Sequence, residues 1–166
     1  MSPETYLEQL EGKLKNQYDL ERNTSFHGAA FDLQATFRIR NERYIVSKKA
    51  VVYAVEAAEY HFIRITTALP SWDEISALLN LFEAHYTDLV TMHEDHMNSI
   101  IQLTFIVEDI PADKSYRQKV QKLNKQISSF LGLKGWVDFG VMFYSVTKQD
   151  FLANRIGKKM LDAYSI

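Results

Sequence analysis

Between Phe31 and Arg40 the chain alternates apolar and polar residues without a break. Phe31, Leu33, Ala35, Phe37 and Ile39 interleave with Asp32, Gln34, Thr36, Arg38 and Arg40. Successive side chains of extended backbone point to opposite sides, so period two over this length predicts a strand with one buried and one wet face. A lone strand leaves its backbone donors and acceptors unpaired, so the chain has to build a sheet. The remaining sequence must supply the other strands and cover the apolar face.

Val51–Val55 is apolar at every position and Tyr60–Ile65 nearly so. Both runs are short and rich in β-branched and aromatic residues, which predicts two further strands buried on both faces, after a break at Asn41-Glu42-Arg43. Ser99–Val107 places Ile101, Leu103, Phe105 and Val107 on one side, and Trp136–Val146 does the same with Val137, Phe139, Val141 and Phe143. Helical spacing marks four other segments. Ser2-Pro3 opens the first, striped by Leu7, Leu10, Leu14 and Tyr18. Ser71 and Glu74 form a capping box before Ile75, Leu78, Leu79, Phe82, Tyr86 and Leu89. Asp113 caps a third helix with a stripe of Tyr116, Val120, Leu123, Ile127 and Phe130, which Gly132 stops. Asn154 caps the last, carrying Ile156, Met160, Leu161 and Tyr164. The order α-βββ-α-β-α-β-α predicts an α+β fold, one domain over residues 1–166, with a mainly antiparallel sheet covered by helices on one face.

A composition of 46% hydrophobic and 24% charged residues excludes a disordered chain, and 166 residues suffice for a core. There is no Cys, which removes disulfides and thiolate chemistry. No apolar run approaches the roughly 18 residues of a membrane span, and Met1-Ser2-Pro3-Glu4 lacks the basic start of a secretion signal, so a cytoplasmic location and no membrane partner are expected. The net charge of −2 conceals a division: residues 1–113 hold 9 basic and 18 acidic side chains, residues 114–166 hold 10 and 3.

Three groups of residues could carry chemistry. His93-Glu94-Asp95-His96, with His85 and Asp88 upstream, gathers imidazole and carboxylate, the ligand chemistry of zinc, iron or manganese. The sequence calls for no cofactor, a divalent metal at this group being the one candidate. Its spacing matches no defined metal motif, and histidines also favour the negative end of a helix dipole. The basic residues Lys114, Arg117, Lys122 and Lys125 lie off the apolar stripe of the third helix, a surface able to bind an anion such as a phosphate backbone. No aromatic residues interleave with them for base stacking. The 21 aromatic residues fall mostly on core stripes. Gly132-Leu133-Lys134-Gly135-Trp136 leaves a helix and enters a strand, the opposite of a phosphate loop.

Fold order adds a third reading. An α-βββ-α-β core resembles the PD-(D/E)XK nucleases, whose metal-binding carboxylates sit on adjacent strands; Asp32 and Glu59 would be their counterparts. The chain departs from that pattern: His61 stands where the catalytic Lys is expected, and Ala30-Phe31 precedes Asp32 in place of the Pro-Asp pair.

The His93-Glu94-Asp95-His96-Met97 segment, the Gly132–Trp136 turn and Asn154-Arg155-Ile156-Gly157 resemble an uncharacterised bacterial domain family, a likeness that implies no function and no site. In element order alone the chain is similar to type III secretion chaperones and their YbjN-like relatives, apart from its third helix. That likeness implies a small cytosolic homodimer that binds polypeptides. Together with unpaired strand edges and opposed charge regions, it favours a non-enzymatic binding or assembly module that meets a second copy, a protein or a peptide. The alternatives are a metal-dependent hydrolase centred on His93 and His96, and nucleic-acid binding through residues 114–130.

Overall fold

The computed structural model describes residues 1–44, 51–90, 96–128 and 135–166. The elements are α1 (Pro3–Leu14), β1 (Asp19–Phe26), β2 (Ala29–Tyr44), β3 (Val51–Ile65), α2 (Trp72–His85), a 3-10 turn (Tyr86–Asp88), β4 (His96–Val107), α3 (Lys114–Lys122), β5 (Gln126–Ser128), β6 (Trp136–Ser145), β7 (Asp150–Ala153), α4 (Arg155–Lys159) and α5 (Leu161–Tyr164). This is an α+β fold.

The described strands form one seven-stranded sheet in the order β1-β2-β3-β4-β6-β5, with β7 also pairing β6. β1–β2, β2–β3, β5–β6 and β6–β7 are antiparallel. β3–β4 and β4–β6 are parallel. The mainly antiparallel expectation holds, while parallel pairing at the centre follows from the helical connection α2 between β3 and β4, which carries the chain back to the starting edge.

Helices cover both faces rather than one. Tyr60, Phe62, Ile101, Leu103, Phe105, Val137, Phe139, Val141 and Phe143 pack with Ile75, Leu78, Leu79 and Phe82 of α2 and Val120 of α3. Across the sheet, Leu33, Ala35, Ile63, Ile100, Ile106, Met142 and Tyr144 pack with Tyr6, Leu7, Leu10 and Leu14 of α1 and with Ile156, Met160 and Tyr164. The central strands are apolar at odd and even positions alike, so both of their faces need a cover.

Other differences have local causes. Val51–Ile65 is one strand, not two, and β2 runs through Asn41-Glu42-Arg43 to Tyr44 because the ladder between β2 and β3 continues there. Two strands had no legible pattern. β1 is mostly exposed and polar, and β7 is only four residues long. The third helix stops at Lys122, and Ile127 belongs to β5, whose backbone is needed by the free edge of β6. Phe130 and Gly132 lie outside the described residues. The final helix breaks at Met160 into α4 and α5. The alternating run also divides. Phe31 joins the α2 side whereas Leu33 and Ala35 join the α1 side. Pairing of β2 with β3 begins at Leu33↔Ile63, and just before it the Asp32 carboxylate accepts a hydrogen bond from the Ile65 amide (2.7 Å), in place of a backbone partner.

Candidate functional site

On the α1 side, buried polar groups form a continuous chain. Gln102 Nε2 donates to Thr104 Oγ1 (3.2 Å), and Thr104 Oγ1 donates to the Tyr164 hydroxyl (2.9 Å). The Tyr164 oxygen lies 2.8 Å from His61 Nδ1, and His61 Nε2 lies 3.1 Å from Glu59 Oε2. Tyr18 donates its hydroxyl to the same Glu59 oxygen at 2.6 Å. A carboxylate only accepts, so Nε2 carries the His61 proton; Thr104 supplies the proton of its own bond, so the Tyr164 hydroxyl donates to Nδ1. Every proton in the chain therefore has an assigned direction.

The fold places these groups for plain reasons. Glu59 and His61 are two residues apart on β3 and share a face. Gln102 and Thr104 point to that same side of β4, between apolar residues that point to the other. Tyr18 follows α1 and Tyr164 ends α5, so helices bring both phenols onto the strands. His61, Gln102, Thr104 and Tyr164 are all fully buried. Gln102 is seated opposite Gly140 of β6, where a Cβ would come within 1.8 Å of Gln102 Oε1. That Oε1 atom is buried without a hydrogen-bond partner. Burying an amide this way costs free energy, so the arrangement is not what packing alone would select.

The chain ends at a cleft of about 360 Å³ lined by Lys13, Gln17, Tyr18, Glu59, Lys159 and Asp162, with the apolar parts of Leu14 and Met160 between them. Lys13 Nζ donates to the carbonyls of Asp162 and Ser165, fastening α1 to the end of α5. The hydrogen bond from His61 holds the Glu59 carboxyl below its ordinary value, and the Tyr18 hydroxyl acts in the same direction, while partial burial opposes both. Burial and the neighbouring carboxylate push the Tyr18 phenol up. At neutral pH the cleft floor is a fixed anion beside a neutral phenol.

A carboxyl with a depressed folded value stabilises the fold above its unfolded value, near 4.3, and loses that contribution as pH falls through the folded one. Urea midpoints measured from pH 7 to pH 3 should therefore fall less steeply for Glu59→Gln than for the wild type. Parallel acid limbs would contradict the charged assignment.

The residues expected from the sequence lie on several elements where they are described. His93, Glu94 and Asp95 lie outside the described residues. His96 opens β4, paired in register with Glu56. His85 ends α2, and its ring stacks on His27 with centroids 3.7 Å apart. Lys114, Arg117 and Lys122 lie on α3, and Lys125 lies beyond it. Arg117 Nη1 donates to the Pro111 carbonyl (3.2 Å), and Lys125 pairs with Glu83. Two of these four cations thus have partners within the chain. Asp32 and Glu59 do not meet. Glu59 is opposite Phe37, five positions along β2 from Asp32, about 17 Å at 3.3 Å per residue. Clustered carboxylates, which two-metal chemistry needs, are not formed by this pair.

Tyr18, Tyr164, Gln102 and Thr104 were missed as site residues. The last two had a signal: they are the only non-apolar residues in Ile100–Val107. The phenols had none, because both complete helical stripes.

Residues 2–166 match the family model described as a domain of unknown function, DUF8052. The chain belongs to this family. No curated protein and no solved structure matches it. Membership agrees with the likeness to an uncharacterised domain family, and nothing in it favours the hydrolase alternative. Among the described residues no helix is long and apolar enough to cross a membrane.

Proposed function

We propose that this DUF8052 domain is a non-enzymatic binding module for a small molecule with an ammonium or other cationic N–H group, received by Glu59 in the cleft. The observation that carries the reading is a carboxylate held as an anion, at the end of a buried hydrogen-bond chain, in a 360 Å³ cleft. That volume falls at the lower end of the range for small-ligand sites, and a few oriented polar groups are what such sites use for selectivity.

Binding is favoured over general-base catalysis by the direction of the Glu59 shift. A general base works best when its pKa lies near the operating pH, whereas Glu59 is held below its ordinary value and one oxygen already accepts two hydrogen bonds. Lys159 at the rim offers a cation to an acidic group, so an amino-acid-like zwitterion fits the charge pattern. A polypeptide added as a strand fits less well. The β1 edge exposes Asp19, Glu21 and Arg22, and Asn23 takes a left-handed φ of 50°, features that discourage strand addition.

Native mass spectrometry of gently purified protein, followed by calorimetry against primary amines and amino acids, tests the proposal. One bound small molecule per chain is expected, with affinity reduced about tenfold or more by Glu59→Gln, the loss of one charge-assisted hydrogen bond. Failure of every amine to bind, or equal binding by Glu59→Gln, would sink it. If light scattering then also reports a stable dimer, the assembly reading replaces it.

A further inference from the structure

On the α2 side of the sheet three ligating side chains converge from separate elements. His27 is the first residue of the two-residue turn between β1 and β2, His85 is the last of α2, and Asp88 ends the 3-10 turn that follows. His27 Nε2 lies 2.5 Å from Asp88 Oδ2, and one ligand atom from each of the three residues falls within 4.8 Å of the others. We propose that His27, His85 and Asp88 form a binding site for a divalent transition-metal ion of the zinc class, which fastens the tip of the β1–β2 hairpin to the end of α2.

The backbone at His27 is the first argument. His27 and Gly28 have φ of 46° and 87°, the pair of left-handed residues that a type I′ hairpin turn needs. Asn-Gly is the favoured sequence for that turn, and His is among the residues that tolerate its left-handed backbone. Its placement there sets the ring against His85, with the planes 10° apart, and against Asp88.

Electrostatics supplies the second argument. Two imidazoles beside a carboxylate offer the nitrogen and oxygen donors that one metal ion takes together. The site lies at the carbonyl end of the 14-residue α2, where the helix dipole favours positive charge. An anion would be disfavoured at the same spot.

Geometry and ligand type choose the metal. Zinc-class ions hold nitrogen and oxygen ligands at about 2.0–2.2 Å, which sets ligand atoms about 3.0–3.5 Å apart. The present separations, 2.5 Å for His27–Asp88 and no more than 4.8 Å for any pair, bracket that spacing. The stacked rings are nearly parallel, so the His27 ring has to turn before both nitrogens face one ion; His27 and Asp88, 37% and 57% exposed, have the room to do so. Two imidazoles with one carboxylate suit Zn²⁺, Co²⁺, Ni²⁺ or Fe²⁺, while Mg²⁺ and Ca²⁺ prefer all-oxygen sites. Three protein ligands leave the remaining positions to water. Of the histidines expected to bind metal from the sequence, only His85 is used.

The test uses the full chain, stripped with chelator and titrated with ZnCl2 by calorimetry and with CoCl2 by visible absorption, alongside thermal melts. One ion per chain, a cobalt spectrum of low coordination number and a metal-dependent rise in Tm are expected. His27→Asn is the decisive variant, because Asn-Gly suits the turn. Its metal-free Tm should equal or exceed that of the wild type, while its metal affinity falls about tenfold or more. His85→Gln and Asp88→Asn should weaken binding likewise, and Glu59→Gln should leave it unchanged. Absence of saturable binding would overturn the proposal. So would binding that survives in His27→Asn but disappears when His93 and His96 are both changed to Gln.

Discussion

Asn154→Ala is expected to lower stability by about 3–5 kcal/mol, because each buried backbone group that loses its partner costs about 1–3 kcal/mol. The Asn154 amide makes four such bonds. Oδ1 accepts from the amides of Val141 (3.0 Å) and Gly157 (2.8 Å), and Nδ2 donates to the carbonyls of Phe139 (2.9 Å) and Leu123 (3.2 Å). At 1% exposure the side chain is closed off from bulk solvent. The side chain caps α4 and also ties it to β6 and to the end of α3. A slope of about 2 kcal/mol per molar urea translates the loss into a midpoint about 2 M lower. Asn154→Ser separates the roles, because a hydroxyl can still cap the helix but cannot reach the β6 carbonyl. If Ala costs only about 1 kcal/mol, an ordinary cap, and Ser restores it, the ties to β6 and Leu123 contribute nothing.

Gly157→Ala tests the same junction with a sign that separates two arguments. Helix propensity favours Ala over Gly by up to about 1 kcal/mol, so an exposed helix would be stabilised. Here a Cβ would lie 2.7 Å from the Val141 carbonyl oxygen, 3.1 Å from Ala153 Cβ and 3.1 Å from Asn154 Oδ1. Backbone cannot rotate away as a side-chain tip can, so α4 must lift from β6 and stretch the bond from the Gly157 amide to Asn154. Overpacking of this kind costs about 1–3 kcal/mol, and we expect a net loss of about 2 kcal/mol. In the Asn154→Ala background the loss should shrink, since the two residues share one contact. An Ala variant as stable as the wild type in thermal melts would mean that α4 is not seated on the strand. The Asn154–Gly157 segment, which carried part of the family resemblance, thus has a structural task.

Legibility in the sequence followed how local the cause was. Ser71 accepts from the Glu74 amide, Asp113 from the Tyr116 amide and Ser2 from the Thr5 amide, as cap chemistry predicts, because capping involves residues three apart. The α2 stripe of Ile75, Leu78, Leu79 and Phe82 is buried for the same kind of reason. β1 was illegible because its exposed edge carries no alternation, and without β1 the hairpin that positions His27 had no second strand. Asn154 was legible as a cap. Its bonds to Phe139 and Leu123 were not, since they depend on β6 and on where α3 ends.

The alternation from Phe31 to Arg40 determined that a strand lies there and that the chain builds a sheet. Periodicity and composition likewise determined the α+β class and most helices, since those depend on neighbours a few residues apart. Only the tertiary structure decided that both faces are covered, and that Phe31 packs on one side while Leu33 packs on the other. It alone joined Tyr18, Glu59, His61, Thr104 and Tyr164 into one chain, and His27 to His85 and Asp88. Period two names two faces without saying what covers each, and convergence of distant side chains follows from strand order, which no local pattern encodes.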